Sequence, residues 1–94
     1  MEFEVIEKSP NPEKKYRATF TTPTGRTKHT DFGAKGMDDF TITKDEEQAK
    51  RYRERHKKDL QTNDPTKAGY LAYYILWSHP SLRAGLEEYR KRFF

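Results

Sequence analysis

The sequence contains no cysteine. That excludes a disulfide framework, a thiolate metal site and thiol chemistry. Apolar residues are also scarce, at 32% of 94 residues. The longest apolar run, Tyr70 to Trp77, falls far short of the roughly 20 residues a membrane span needs. The first ten residues carry Glu2, Glu4 and Glu7 and no long apolar run, so no signal peptide is expected. Neither an internal repeat nor a low-complexity segment is visible. A chain of this length is one domain, 1–94, with a small core.

What the core lacks in aliphatic residues it has in rings: six phenylalanines, six tyrosines and one tryptophan. Large rings must therefore supply much of the buried area. The formal net charge is +4 and is unevenly spread. Residues 1–13 are acidic, with Glu2, Glu4, Glu7 and Glu13 against Lys8. Residues 14–36 are basic, with Lys14, Lys15, Arg17, Arg26, Lys28 and Lys35 against Asp31. The last twelve residues are mildly basic. Such an excess favours anionic partners, nucleic acid foremost, although +4 is also an ordinary solubility charge.

Alternation of residue type predicts a short strand or arm over 2–7, with Phe3 and Val5 on one side and Ile6 on the other. Residues 15–21 alternate cleanly, Tyr16, Ala18 and Phe20 opposing Lys15, Arg17 and Thr19. In Thr22-Pro23-Thr24-Gly25, proline suits a type I turn and Gly25 the left-handed position that follows. That three-residue loop sets a hairpin over 14–36 in which Tyr16 faces Phe32, Ala18 faces Thr30 and Phe20 faces Lys28. On the other face Arg17 meets Asp31 and Thr19 meets His29. Residues 37–42 are expected to be irregular or a short extra strand. Thr43 and Glu46 have the spacing of a capping box, predicting a helix to about Leu60 with Ala49, Tyr52, His56 and Leu60 inward. Asp64 and Pro65 predict the start of a second, nearly all-apolar helix. His79-Pro80 ends it, and a third helix from about Ser81 buries Leu82, Leu86, Tyr89 and Phe93. Strands followed by helices read as α+β: a short antiparallel sheet of two to three strands packed on a three-helix part, 43–94.

Two surfaces are candidates for nucleic acid. One is the basic helix, where Glu46–Lys50, Glu47–Arg51 and Glu54–Lys58 have pairing order but Arg53, Arg55 and Lys57 do not. The other is the hairpin, through Lys15, Arg17 and Lys28. Gly33-Ala34-Lys35-Gly36 suggests an anion-cradling turn, though it lacks the phosphate-loop pattern, and a tight turn is the simpler reading. Adjacent Asp38 and Asp39 raise magnesium binding, yet no metal site or cofactor is expected. His29, His56 and His79 have no ligand spacing, and no catalytic constellation is visible. The rings of Tyr70, Tyr73, Tyr74 and Trp77 suit base stacking or, more simply, the core.

Several runs resemble a known family. They are Asp31 to Asp45, Arg51-Tyr52-Arg53-Glu54-Arg55-His56, Ala68-Gly69-Tyr70-Leu71 with Leu76-Trp77, and Pro80-Ser81-Leu82. Together, over roughly 14–94, they resemble a small family of unknown function from large nucleocytoplasmic DNA viruses of algae and protists. The resemblance implies no activity, cofactor or catalytic residue. It implies a viral setting, a virion or a virus factory in the host cell, and a variable arm at 1–13.

The expectation is a non-enzymatic basic protein that binds nucleic acid through phosphate contacts from Lys15, Arg17, Lys28, Lys35, Arg51, Arg53, Arg55 and Lys58. The alternative is a structural or adaptor protein of a virus particle, meeting itself or other virion proteins through Phe93, Phe94 and Phe3.

Overall fold

The computed structural model describes residues 1–94. Three strands lead: β1 (Glu2–Lys8), β2 (Lys14–Thr21) and β3 (Thr27–Ala34). They form one antiparallel sheet in the order β1-β2-β3. The helical part follows, so the α+β class holds. It comprises α1 (Phe40–Thr43), α2 (Glu46–His56) with a 3-10 extension Lys57–Thr62, α3 (Ala68–Leu71) running into a π-helical turn Ala72–Leu76, and α4 (Leu82–Phe93). No helix is long and apolar enough to cross a membrane.

The β2–β3 register follows the alternation pair for pair, including Tyr16 with Phe32 and Arg17 with Asp31. The loop closes through Thr22 N–H to the Arg26 carbonyl at 2.8 Å, and Gly25 takes φ +83°. The inner face holds Ala18, Phe20 and Phe32, all fully buried. It packs on α3 and its π turn, with Leu71, Ile75, Leu76 and Tyr89 completing the core.

Several expectations fail locally. In β1 the register shifts between Phe3 and Val5. That irregularity turns Phe3 and Ile6 to the same side, where both pack on the core, and leaves Val5 exposed. Residues 40–43 are a helical turn rather than a strand, because Asp39 caps them by accepting from Thr41 N–H. Thr43 therefore ends α1 instead of capping α2. The cap of α2 is Asp45, which accepts from Glu47 and Gln48 N–H at 3.1 and 3.2 Å. Asp64 caps only the turn at Thr66, and α3 begins at Ala68. Beyond the π turn, Leu82–Phe93 starts as expected, with Ser81 Oγ accepting from Ala84 N–H.

Two glycines are required by contact. A Cβ on Gly85 would lie 2.5 Å from the Ile75 carbonyl, so α4 and the π turn touch backbone to backbone. Gly33 has φ +78°, and a Cβ there would meet Leu76 Cδ1 at 2.9 Å and Lys15 Cβ at 3.3 Å. Phe32 and Gly33 thus bring the end of the hairpin down onto the helices, which positions the site described next.

Candidate nucleic-acid interface and adjoining groove

Four of the eight cations expected to contact phosphate are engaged inside the protein. Lys15 Nζ lies 2.6 Å from Asp39 Oδ2, with side-chain exposures of 13% and 2%. Alternation puts Lys15 outward beside Arg17, but it lies beside Gly33, whose missing Cβ leaves the passage its side chain uses. Arg17 makes a two-pronged contact with Asp31, at 2.8 and 3.1 Å. The Arg17 guanidinium holds the Asp31 carboxyl below its ordinary range. Lys28 shares the inner parity of Phe32 and donates to Thr66 Oγ1 at 2.8 Å. Arg53 donates to the Trp77 carbonyl at 2.6 Å, capping the backbone beyond the π turn, with Glu46 at 3.8 Å.

The other four are free. Lys35, Arg51, Arg55 and Lys58 are exposed and make no ion pair or side-chain hydrogen bond. The pairs Glu46–Lys50, Glu47–Arg51 and Glu54–Lys58 do not form. Exposed pairs of this kind gain little over water, and α2 tightens after His56 into the 3-10 extension, which moves Lys58 out of step with Glu54. The i, i+4, i+7 spacing lines Arg51, Arg55 and Lys58 along one side of α2 and its extension. Lys50 and Lys57 are likewise exposed and unpaired.

Amides at and beside the glycine turn are engaged within the protein. Lys35 N–H donates to the Glu13 carbonyl at 2.9 Å and Met37 N–H to Ala34 at 3.2 Å. Asp39 is spent on α1: besides Lys15, it accepts from Thr41 through both N–H and hydroxyl. Asp38 is exposed and alone. No group of three His, Asp or Glu side chains is placed to hold a metal ion. Of the rings considered for stacking, Tyr70 and Trp77 are buried, while Tyr73 and Tyr74 pack half-buried beside them.

Between the glycine turn and α2 lies a groove of about 650 Å³. Sequence reasoning missed it because its walls come from segments far apart in the chain. Lys14 and Gly36 stand on one side, Gln48, Tyr52 and Arg55 on the other, with Ala68 and Ala72 between. Within it three rings stack in series. Tyr52 lies on Trp77 at 4.2 Å and 9°, and His56 lies on Tyr52 at 4.1 Å and 20°. Burial raises the Tyr52 phenol above its ordinary range, and the Asp59 carboxylate adds to the rise. His56 Nδ1 lies 3.0 Å from Asp59 Oδ2, which fixes the ring's orientation, and its side chain stays 39% exposed. The i, i+4 spacing of Tyr52 and His56 was the one signal of this site in the sequence. Lys14 was legible too: it shares the inward parity of Tyr16.

A small α+β domain with an unpaired basic helix flanking a ring-lined groove is the class these features define. The chain belongs to a family of unknown function, DUF5754, whose model matches residues 4–56. The match takes in β1 from Glu4 onward, β2, β3, α1 and α2. The resemblance read from the sequence began at residue 14, so the acidic segment expected to be a variable arm falls within the family from residue 4 and forms β1. No curated protein and no solved structure matches the chain.

Proposed function

We propose that this is a non-enzymatic protein that binds nucleic acid through phosphate contacts from Arg51, Arg55 and Lys58, with Lys35 and Lys14 adding charge across the groove. One observation supports the reading above the others. Apart from Arg53, which is bound to the Trp77 carbonyl and near Glu46, the cations of α2 and its extension stay free although Glu47 and Glu54 share the same helix. Lys15, Arg17, Lys28 and Arg53 leave the proposed contact set, since moving them would break internal bonds. Binding is driven by counterion release and is weakly sequence-specific. On the same reading, and on the strength of the sequence resemblance, the protein works in a virion or virus factory.

The test is affinity for short oligonucleotides across a salt series. Each phosphate contact contributes a slope of about 0.7 to 0.9 in log K against log salt. The combined Arg51→Ala, Arg55→Ala and Lys58→Ala variant is expected to lose about two to three units of that slope. Absence of salt-dependent binding at low ionic strength removes the proposal.

A second reading, an adaptor acting through protein contacts, draws on exposed apolar side chains. Phe3 and Phe93 pack against the core and leave the expected contact set, but Phe94 stays 42% exposed, and Met37 and Ile42 more so. Light scattering that finds a stable dimer, with no nucleic-acid affinity, would favour it.

A further inference from the structure

Charge divides sharply between the groove and its rim. Lys14, Lys15 and Arg55 face the groove, and so do Asp38, Asp39 and Asp59, so the formal charges cancel. A run of phosphates entering it would gain nothing from the cations that it did not lose to the carboxylates. Arg51 and Lys58 are exposed and do not line the groove, and Arg55, one helical turn from each, does. A polyanion tracking these three cations keeps its backbone outside the groove, with Arg55 at the boundary.

What the groove itself suits is a flat, uncharged, polar group. The series Trp77, Tyr52, His56 ends on a half-exposed imidazole with no further ring on its outer face. Aromatic series of this kind extend readily by one more planar ring. The polar groups nearby suit the edge of such a ring. The Asp38 carboxylate is unpartnered, and the Gln48 amide N–H₂ makes no hydrogen bond although its oxygen accepts from Thr43. Small residues, Gly36, Ala68, Gly69 and Ala72, keep the space open. A volume of about 650 Å³ lies inside the range of small-ligand sites, about 300–1,000 Å³.

We infer that the groove is a subsite for one unpaired nucleobase, stacked on His56 while the adjoining phosphates lie along Arg51, Arg55 and Lys58. It follows that the protein prefers single-stranded nucleic acid to duplex. A base held in a duplex reaches the groove only by leaving its stack, which is costly. The carboxylate of Asp38 further favours bases with an exocyclic amino group, adenine and cytosine over thymine. This inference rests on the phosphate reading given above.

The experiment titrates the intact protein with dA12, dT12 and a 12-base-pair duplex at one salt concentration. Fluorescence of Trp77, the single tryptophan, reports occupation of the groove. The expected result is about tenfold tighter binding of dA12 than of duplex, the size of one base–aromatic stack, with Trp77 quenched by the single strand. His56→Ala and the groove-filling Ala68→Trp are each expected to bring the ratio of single-strand to duplex affinity near one. Circular dichroism confirms that each is folded, and either variant suffices if the other is not. Salt-dependent binding with duplex equal to or tighter than dA12 overturns the base subsite and leaves the phosphate reading standing. A preference that survives in the folded variants overturns it equally. No binding of any oligonucleotide overturns both.

Discussion

The strands of the hairpin and α2 both carry basic residues and engage them to different extents. On the hairpin, Lys15, Arg17 and Lys28 each hold a partner, and two of those bonds cross to the helical part. On α2 only Arg53 does so, through the Trp77 carbonyl. A strand buried on one face offers its cations fixed neighbours at known distances. An exposed helix face offers only flexible partners that water matches. Local excess charge therefore marks more structural residues on the strands and more available ones on the helix.

The largest effect that would sharpen this contrast is at Asp39. Asp39→Ala leaves Lys15 without its partner in a largely buried site and uncaps α1. Breaking such a pair costs about 3–5 kcal/mol, so chemical denaturation is expected to show a loss of that order. A loss below about 1 kcal/mol would put Lys15 among the surface cations after all. Arg53→Ala comes next. It removes a charge-assisted bond to a backbone carbonyl, worth about 1.5–3 kcal/mol, and should lower the melting temperature, while Arg53→Lys restores part of it.

Strong acid should weaken the bonds that Asp31 makes in the hairpin and Asp64 makes at the Thr66 turn. Asp31 is held below its ordinary value of 3.8 by Arg17, and Asp64 likewise by the Thr66 hydroxyl. A carboxyl with a depressed folded value stabilises the fold above its unfolded value. That contribution is lost as pH falls below about 3.8 and through the folded values. Thermal melts are expected to fall over that acid range, and less steeply in Asp31→Asn. A drop centred near neutral pH would point to other groups.

The smallest expected effect is at Arg51 and Arg55. Each change to Ala should alter stability by no more than about 0.5 kcal/mol, even as oligonucleotide affinity falls. If either destabilised the fold as Arg53→Ala does, the division between structural and available cations would not hold.

Much of the fold is legible in the sequence. Hairpin register follows from a side-chain period of two and a loop that admits one geometry, and both are local. The ends of the helices were not, because Asp39, Asp45 and Asp64 are all acceptable caps by spacing. Which of them caps what depends on where the chain must turn to meet the sheet. The site was legible only in part. Arg51, Arg55 and Lys58 were singled out by charge, but charge could not tell these free cations from Lys15 or Arg53, whose partners lie 24 residues away in each case.

The class of fold, the β2–β3 pairing, the apolar segment at the core and the excess of positive charge follow from local sequence, since each depends on residues close together in the chain. Which cations remain free, where the groove opens and the stacking of His56, Tyr52 and Trp77 there are set by long-range packing. Those outcomes depend on the hairpin end, α2 and the π turn meeting at Gly33, and no local pattern encodes the distance between segments so far apart.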